Sequence, residues 1–302
     1  MLTSLVESFL VLVAEGKTYL VLLPVYVLLL TGERVAHGLI TRRPWNERDG
    51  AANIAITIVY LGVDLLVGHI VPVALMAWLF EHARLLTLGT TGFGWLVAFL
   101  LHDLTWYVDH RLAHRVAFMW APHHVHHSSP EYNTTVASRG FVLDNVIARP
   151  MFYLLPVLGV SPFQFIVLRI GVSIFGICQH TRLVPRLGWL DWLFATPSNH
   201  RVHHGSDALY LDRNYGEVLM IWDHLFGTYQ REEQEPTFGV TDPIHTTNPI
   251  TIECAGFRWL WKRVVSAPTW KQKLRALVMP PEWNPTATER DYSLQLPVSQ
   301  RR

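Results

Sequence analysis

The chain has 302 residues, half of them hydrophobic and only 16% charged, against roughly 25% charged in a typical soluble domain. Its 25 basic and 24 acidic residues leave a net charge of +1, which gives no electrostatic case for a nucleic-acid partner. Cys178 and Cys254 stand far apart and outside any CxxC pattern, so a disulfide framework, an iron–sulfur cluster and a zinc ribbon are excluded.

The apolar residues are gathered into runs, the pattern of an integral membrane protein. The N-terminus lacks a basic leader segment and carries Glu7 and Glu15, so no cleaved signal peptide is expected there. Leu2 to Val13 reads as an interfacial helix and Thr18 to Leu30 as the first span. Arg34, Arg42, Arg43 and Arg48 follow, and this flanking positive charge argues for the cytoplasmic side. Ala51 to Phe80 would be about 45 Å long as one helix, more than a ~30 Å hydrocarbon core, so a tilt, or a bend near Gly68 and Pro72, is expected.

Gly92 to about Val108 is the next expected crossing, and it runs on into His110 and His114. Met151 to Cys178 is the last apolar segment. Ser161 followed by Pro162 reads as an N-cap and first helical residue, which divides this segment into two helical limbs and returns the chain to the side it left. From Leu187 onward the chain is polar and aromatic. The expectation is an all-α integral membrane helical bundle of about four spans or hairpin equivalents with a cytoplasmic histidine-rich cap. Its divisions are N-terminal membrane helices over 1–91, a metal-bearing domain over 92–285 and a loose tail over 286–302.

Three histidine clusters carry the chemistry: HRLAH (His110, His114), HHVHH (His123, His126, His127) and HRVHH (His200, His203, His204). With 16 histidines in 302 residues, two HxxHH patterns are not a compositional accident. Residues four apart share a helix face, so each cluster can aim several imidazoles at one point. These eight are enough for two metal ions, and imidazole suits iron, zinc and copper alike. His180 is the expected ninth ligand. Ligating rings usually donate their second N–H to a carboxylate or carbonyl, and His102, Asp103, Asp109, Asn199, Asp223 and His224 are the candidates for that outer layer. Asp191 and Asp212 are also near in sequence. His124, the spare residue in its box, is expected at solvent or in that layer. Trp106, Tyr107 and Trp120 suit either a substrate channel or an interfacial aromatic belt.

His110-Arg111-x-x-His114, Trp120-x-x-His123-x-x-His126-His127-Ser128-Ser129, Gln179-His180, Asn199-His200-Arg201-x-His203-His204 and the block from Asn214 to Tyr229 resemble the fatty acid hydroxylase/sterol desaturase superfamily of membrane histidine-box di-iron oxygenases. Within it, HHSSPEYNTT, TPSNHRVHHG and DRNYG are most similar to alkylglycerol monooxygenase-like bacterial members, except that Arg115 follows His114 where that branch carries Glu. The resemblance covers roughly residues 95 to 285. It implies O2-dependent hydroxylation or desaturation of a lipid C–H bond, of sterol, fatty acyl or alkylglycerol type, by two Fe ions, a site that zinc also fits. Attack on an unactivated C–H bond needs a redox metal with dioxygen. No nucleotide-, flavin- or cytochrome-like segment is present, so the electrons are expected from a separate electron-transfer protein or, as the resemblance implies, a reduced pterin. The alternatives are a non-catalytic membrane zinc or metal-binding protein and, among related histidine-box enzymes, a fatty aldehyde decarbonylase.

Overall fold

The computed structural model describes residues 19–41, 44–68, 70–147 and 149–286. The expected Leu2 to Val13 helix, Arg42, Arg43 and nearly all of the expected C-terminal tail lie outside them. The regular secondary structure of the described residues is all helical, apart from two isolated β-bridges, Phe194 to Leu219 and Gly205 to Phe238.

Helix α1, Tyr19–Ile40, leaves Leu28, Leu39 and Ile40 exposed. The long apolar run after it is two helices: α2, Glu47–Val63, and α3, Ile70–His82, separated by a π turn over Asp64–Gly68. The break falls where the sequence placed a bend, and it leaves neither half long enough to cross alone. Among the described residues, two helices are long and apolar enough to span a membrane, Leu20–Ile40 and Pro162–Gln179. Helix α4, Gly92–Arg115, is capped by Thr91, whose hydroxyl accepts from the Gly94 amide. At 24 residues it is about 36 Å long, but it carries His102, Asp103 and Asp109 and is less apolar than those two.

Helix α5, Ala117–His127, follows α4 after a single extended residue, Val116. The chain then descends along α4 in short turns, Asp144–Ile147, Pro150–Tyr153 and Leu154–Val157. Leu85 and Leu88 donate their amides to Val157 and Gly159, which fixes the foot of this limb beside the start of α4. Helix α6, Pro162–Gln179, climbs back from a complete capping box, Ser161 with Gln164. The expected pair of helical limbs is thus one helix and one irregular limb. Pro150 and Pro156 each remove an amide donor, and Gly159 adopts φ +92°, so a continuous helix over 151–160 is disfavoured. This irregular limb contributes Arg149, Phe152 and Tyr153 to the wall of a cavity.

The cap comprises helix α7, Pro197–His203, the segment 205–248, and helices α8, Pro249–Ser266, and α9, Trp270–Val278. Helix α8 packs on α5 through Gly256 and Leu260, against Ala117 and Ala121. Small residues at this crossing let the two backbones approach closely. A second tie joins α2 to the end of α5. The buried Arg139 guanidinium donates to Asp49, Asn53, Ser128 and the Val125 carbonyl, and removing one partner of such a buried charge pair costs about 3–5 kcal/mol.

A candidate nine-histidine metal centre

Nine imidazoles meet where α4, α5, α6 and α7 end. They form two groups, His110, His114, His123, His127 and His203 in one, and His126, His180, His200 and His204 in the other. Within each group the ligand atoms lie within 4.8 Å of one another. All nine expected ligands are brought together, including His180, which closes α6 as its C-cap. Each HxxHH box is divided in the same way. His123 and His127, one turn apart, serve the first group while His126 turns to the second; His200 and His204 serve the second while His203 turns to the first.

The Nε2 atoms face one another. His127 lies 3.2 Å from His114, 3.1 Å from His123 and 3.1 Å from His203, and His200 lies 3.1 Å from His180. With metal–nitrogen bonds of about 2.0–2.1 Å, neighbouring ligands sit roughly 3.0–3.4 Å apart, so these spacings fit a coordination shell. A donor set of neutral imidazoles with no acid among them suits a divalent first-row metal. Burial and the neighbouring imidazoles hold His123, His127, His200, His203 and His204 well below the usual histidine range. Burial likewise lowers His126 to about 4 and His180 to about 3. Such rings are free bases at neutral pH, the form that ligates.

The outer layer consists mainly of backbone. His110 Nδ1 donates to the Tyr215 carbonyl at 2.9 Å, His126 to Arg139 at 3.0 Å, His180 to Gly176 at 2.7 Å and His203 to Arg213 at 3.0 Å. These bonds fix the tautomer that leaves Nε2 free for metal. Asp212 and Asn214 adopt φ 59° and 55°, a left-handed conformation that these residue types tolerate better than most. The twist presents the carbonyls of Arg213 and Tyr215 to two rings. Among the described ion pairs, Asp212 is the carboxylate that approaches one of these rings, 3.7 Å from His114 Nδ1, and it also binds Arg115, which reaches Glu282 as well.

Of the six residues expected in the outer layer, none contacts a ligating ring among the described hydrogen bonds. Asp223 accepts from the amides of Tyr215 and Gly216, and Asp103 from those of Val218 and Leu219 and from the Trp222 indole. These two act at one remove, through the loop that supplies the Tyr215 carbonyl. Asp109 accepts from the Met151 amide, Asn199 donates to the carbonyls of Asp191 and Phe194, and the half-buried His224 donates to the Trp192 carbonyl. His102 is fully buried between Phe152 and Phe165 with neither ring nitrogen paired. Asp191 binds the Leu187 amide and the Thr196 hydroxyl. His124 is buried against Trp120 rather than turned to solvent, because the α8 side of α5 is covered. Trp120 packs on His114, and Tyr107 bonds Thr228 and stacks on Phe226.

A cavity of about 360 Å³ opens onto the histidines. Leu22, Leu61, Val73, Met76, Phe165 and Ile166 are among its apolar lining, and His110, His123, His126, His180 and His200 also line it. Trp106 lines it, with Arg149 and Arg169 lying 4.3 and 4.8 Å from its ring centre. Glu217, within the block from Asn214 to Tyr229, also lines it. Burial pushes this carboxyl up to about 8 even though both arginines pull it down.

Residues 95–228 match the family model described as Fatty acid hydroxylase. The chain is 35% identical over 216 residues to Alkylglycerol monooxygenase of Xenopus tropicalis, covering 71% of this chain and 48% of that protein. It is 30% identical over 275 residues to the Homo sapiens protein of the same name, covering 91% and 62%. Over 124 residues it is 33% identical to Ornithine lipid hydroxylase OlsE of Rhizobium tropici, covering 41% and 38%. The chain spans about half the length of the curated relatives it matches. No solved structure matches it.

Proposed function

We propose that this chain, whose residues 95–228 match the Fatty acid hydroxylase family model, belongs to that family and is a membrane-embedded, O2-dependent lipid hydroxylase with two iron ions held by its nine histidines. His110, His114, His123, His127 and His203 would hold one ion, and His126, His180, His200 and His204 the other. The observation that carries this reading is the convergence of two imidazole groups beside a largely apolar cavity. Iron with O2 supplies an oxidant able to attack an unactivated C–H bond, chemistry that zinc lacks.

The protein's own residues perform the remaining tasks. The carbonyls of Tyr215, Arg139, Gly176 and Arg213 fix ring orientation. Leu22, Leu61, Val73, Met76 and Phe165 exclude water and seat the hydrocarbon of the lipid, whose reacting carbon faces His123, His126 and His200. The relatives' names support an oxygen-inserting enzyme acting on lipid rather than a desaturase. Electrons come from outside the chain, from a reduced pterin or an electron-transfer protein. In this reading about four helical limbs lie in the bilayer, domain 92–285 carries the chemistry, and the histidine centre faces the cytoplasm.

Purified protein loaded anaerobically with ferrous iron should hold two ions per chain. Incubated with a lipid extract, a reductant and 18O2, it should place labelled oxygen in a lipid product. One metal or none after loading, or unlabelled products, would refute the reading.

A further inference from the structure

The cavity beside the histidines is not uniformly apolar. Aliphatic and aromatic side chains of α1, α2, α3 and α6 line it, but so do Arg149, Arg169, Glu217, Asp144 and Asn145. A pure hydrocarbon has no use for this polar wall, and burying such groups without partners is costly.

The wall has a built architecture. Asp223 holds the amides of residues 215 and 216, and Asp103 holds those of 218 and 219. Glu217 stands between these two anchored pairs, and its own carbonyl accepts from Gln179 at 2.6 Å. The backbone that carries Glu217 is therefore fixed from both sides while its carboxyl reaches the cavity. Gly176 leaves the room: a Cβ there would lie 2.5 Å from Glu217 Oε1. Arg149 is matched by Asp144. Arg169 donates one nitrogen to Asn145 at 3.4 Å, and its other terminal nitrogen, Nη1, is buried with no partner. A buried donor without an acceptor is a position that a bound molecule can satisfy.

The charges also limit the occupant. Arg139 is matched by Asp49 and Arg149 by Asp144, and Asp64 and Glu217 line the cavity along with Arg169. No surplus positive charge is left to hold an anionic head, and two guanidinium groups at the wall disfavour a cationic one. What fits a free N–H donor beside a carboxyl is a group able both to accept and to donate, a hydroxyl. On the reading of this cavity as a lipid site, we propose that Glu217 and Arg169 are specificity-determining residues that clamp the uncharged, hydroxyl-bearing end of the lipid and thereby set which carbon faces the histidines.

The test is binding of two probes to the full chain in nanodiscs without metal: tritiated 1-O-hexadecylglycerol, and hexadecane as an unlabelled competitor that lacks the head. Glu217→Leu and Arg169→Met should each weaken hexadecylglycerol binding by about tenfold or more while leaving hexadecane competition within about threefold, since a hydrogen bond lost in a buried site costs about that much. Glu217→Gln, which keeps a donor and an acceptor, should bind nearly as well as the unsubstituted chain. Gly176→Ala, which displaces the carboxyl without altering it, should behave as Glu217→Leu does. In the iron-loaded enzyme Glu217→Leu should raise KM more than it lowers kcat. Equal loss for both probes would assign the pair a packing role and overturn the proposal, as would unchanged binding of the diol in folded Arg169→Met and Gly176→Ala. Failure of either probe to bind the unsubstituted chain would refute the lipid reading of the cavity itself, and the clamp with it.

Discussion

Gly256→Ala tests whether the α5–α8 crossing positions the metal centre. A Cβ at 256 would overlap the Ala121 carbonyl oxygen and lie 2.8 Å from its carbon and 3.0 Å from its Cα. Carbon atoms in contact prefer about 3.5–4.0 Å, so the helices must part by roughly 1 Å. The obstacle is backbone, which no rotamer change relieves. Overpacking of this kind costs about 1–3 kcal/mol. The larger consequence is functional, because α5 carries His123, His126 and His127 within about two turns beyond Ala121. Misplacing reacting groups by about 1 Å can cost around a hundredfold in rate. The assay is iron content by mass spectrometry after loading, turnover under 18O2, and thermal unfolding, run beside Gly38→Ala, where an added Cβ meets nothing within 4 Å. The expected result is lower iron retention and at least about tenfold slower turnover for Gly256→Ala, with Gly38→Ala neutral or slightly stabilising. Normal iron retention and turnover in Gly256→Ala would refute the idea that this crossing sets the site.

His126→Ala and His203→Ala should each abolish turnover, to below about a hundredth, a loss of roughly 2.7 kcal/mol of transition-state stabilisation, with helical circular dichroism unchanged; activity above that level would remove the residue from the ligand set. The metal-free protein should lose stability as pH falls from about 6.5 toward 4. His126 and His180 have folded pKa values depressed to about 4 and 3, so the unfolded chain binds protons first. A melting temperature that stays flat between pH 7 and 5 would contradict their burial as free bases. With Cys178 and Cys254 replaced by Ser, Ala208→Cys, at an exposed cap position, should react with an impermeant maleimide only from the cytoplasmic face; labelling from the other face would reverse the proposed sidedness.

The convergence of the nine histidines was legible in the sequence because it resides in residue type and spacing: rings three and four apart on one helix face can be read without coordinates. Their allocation was not, since the same spacing is compatible with all three rings of a box serving one ion. The outer layer escaped sequence reasoning for a different reason. A search for carboxylates near histidines cannot see backbone carbonyls, and Asp212 and Asn214 signal theirs only through backbone conformation. Glu217 is a lone acid in a loop, and its importance depends on Asp103 and Asp223 more than a hundred and six residues away respectively in the chain. The apolar run over 151–178 resembled two helices because hydropathy records burial; Pro150, Pro156 and Gly159 decide that the first limb is irregular.

The reciprocal division of the two HxxHH boxes ties the occupancy of one position to the other. An ion held by the first group would grip His123, His127 and His203, and so orient α5 and α7 together. That event would bring His126, His200 and His204 toward their own point of convergence. A second ion would then meet a framework with less freedom left to lose. Loading should therefore be positively cooperative, with the singly occupied chain a minor species at every iron concentration. By the reciprocity of linkage, extraction of either ion loosens the other.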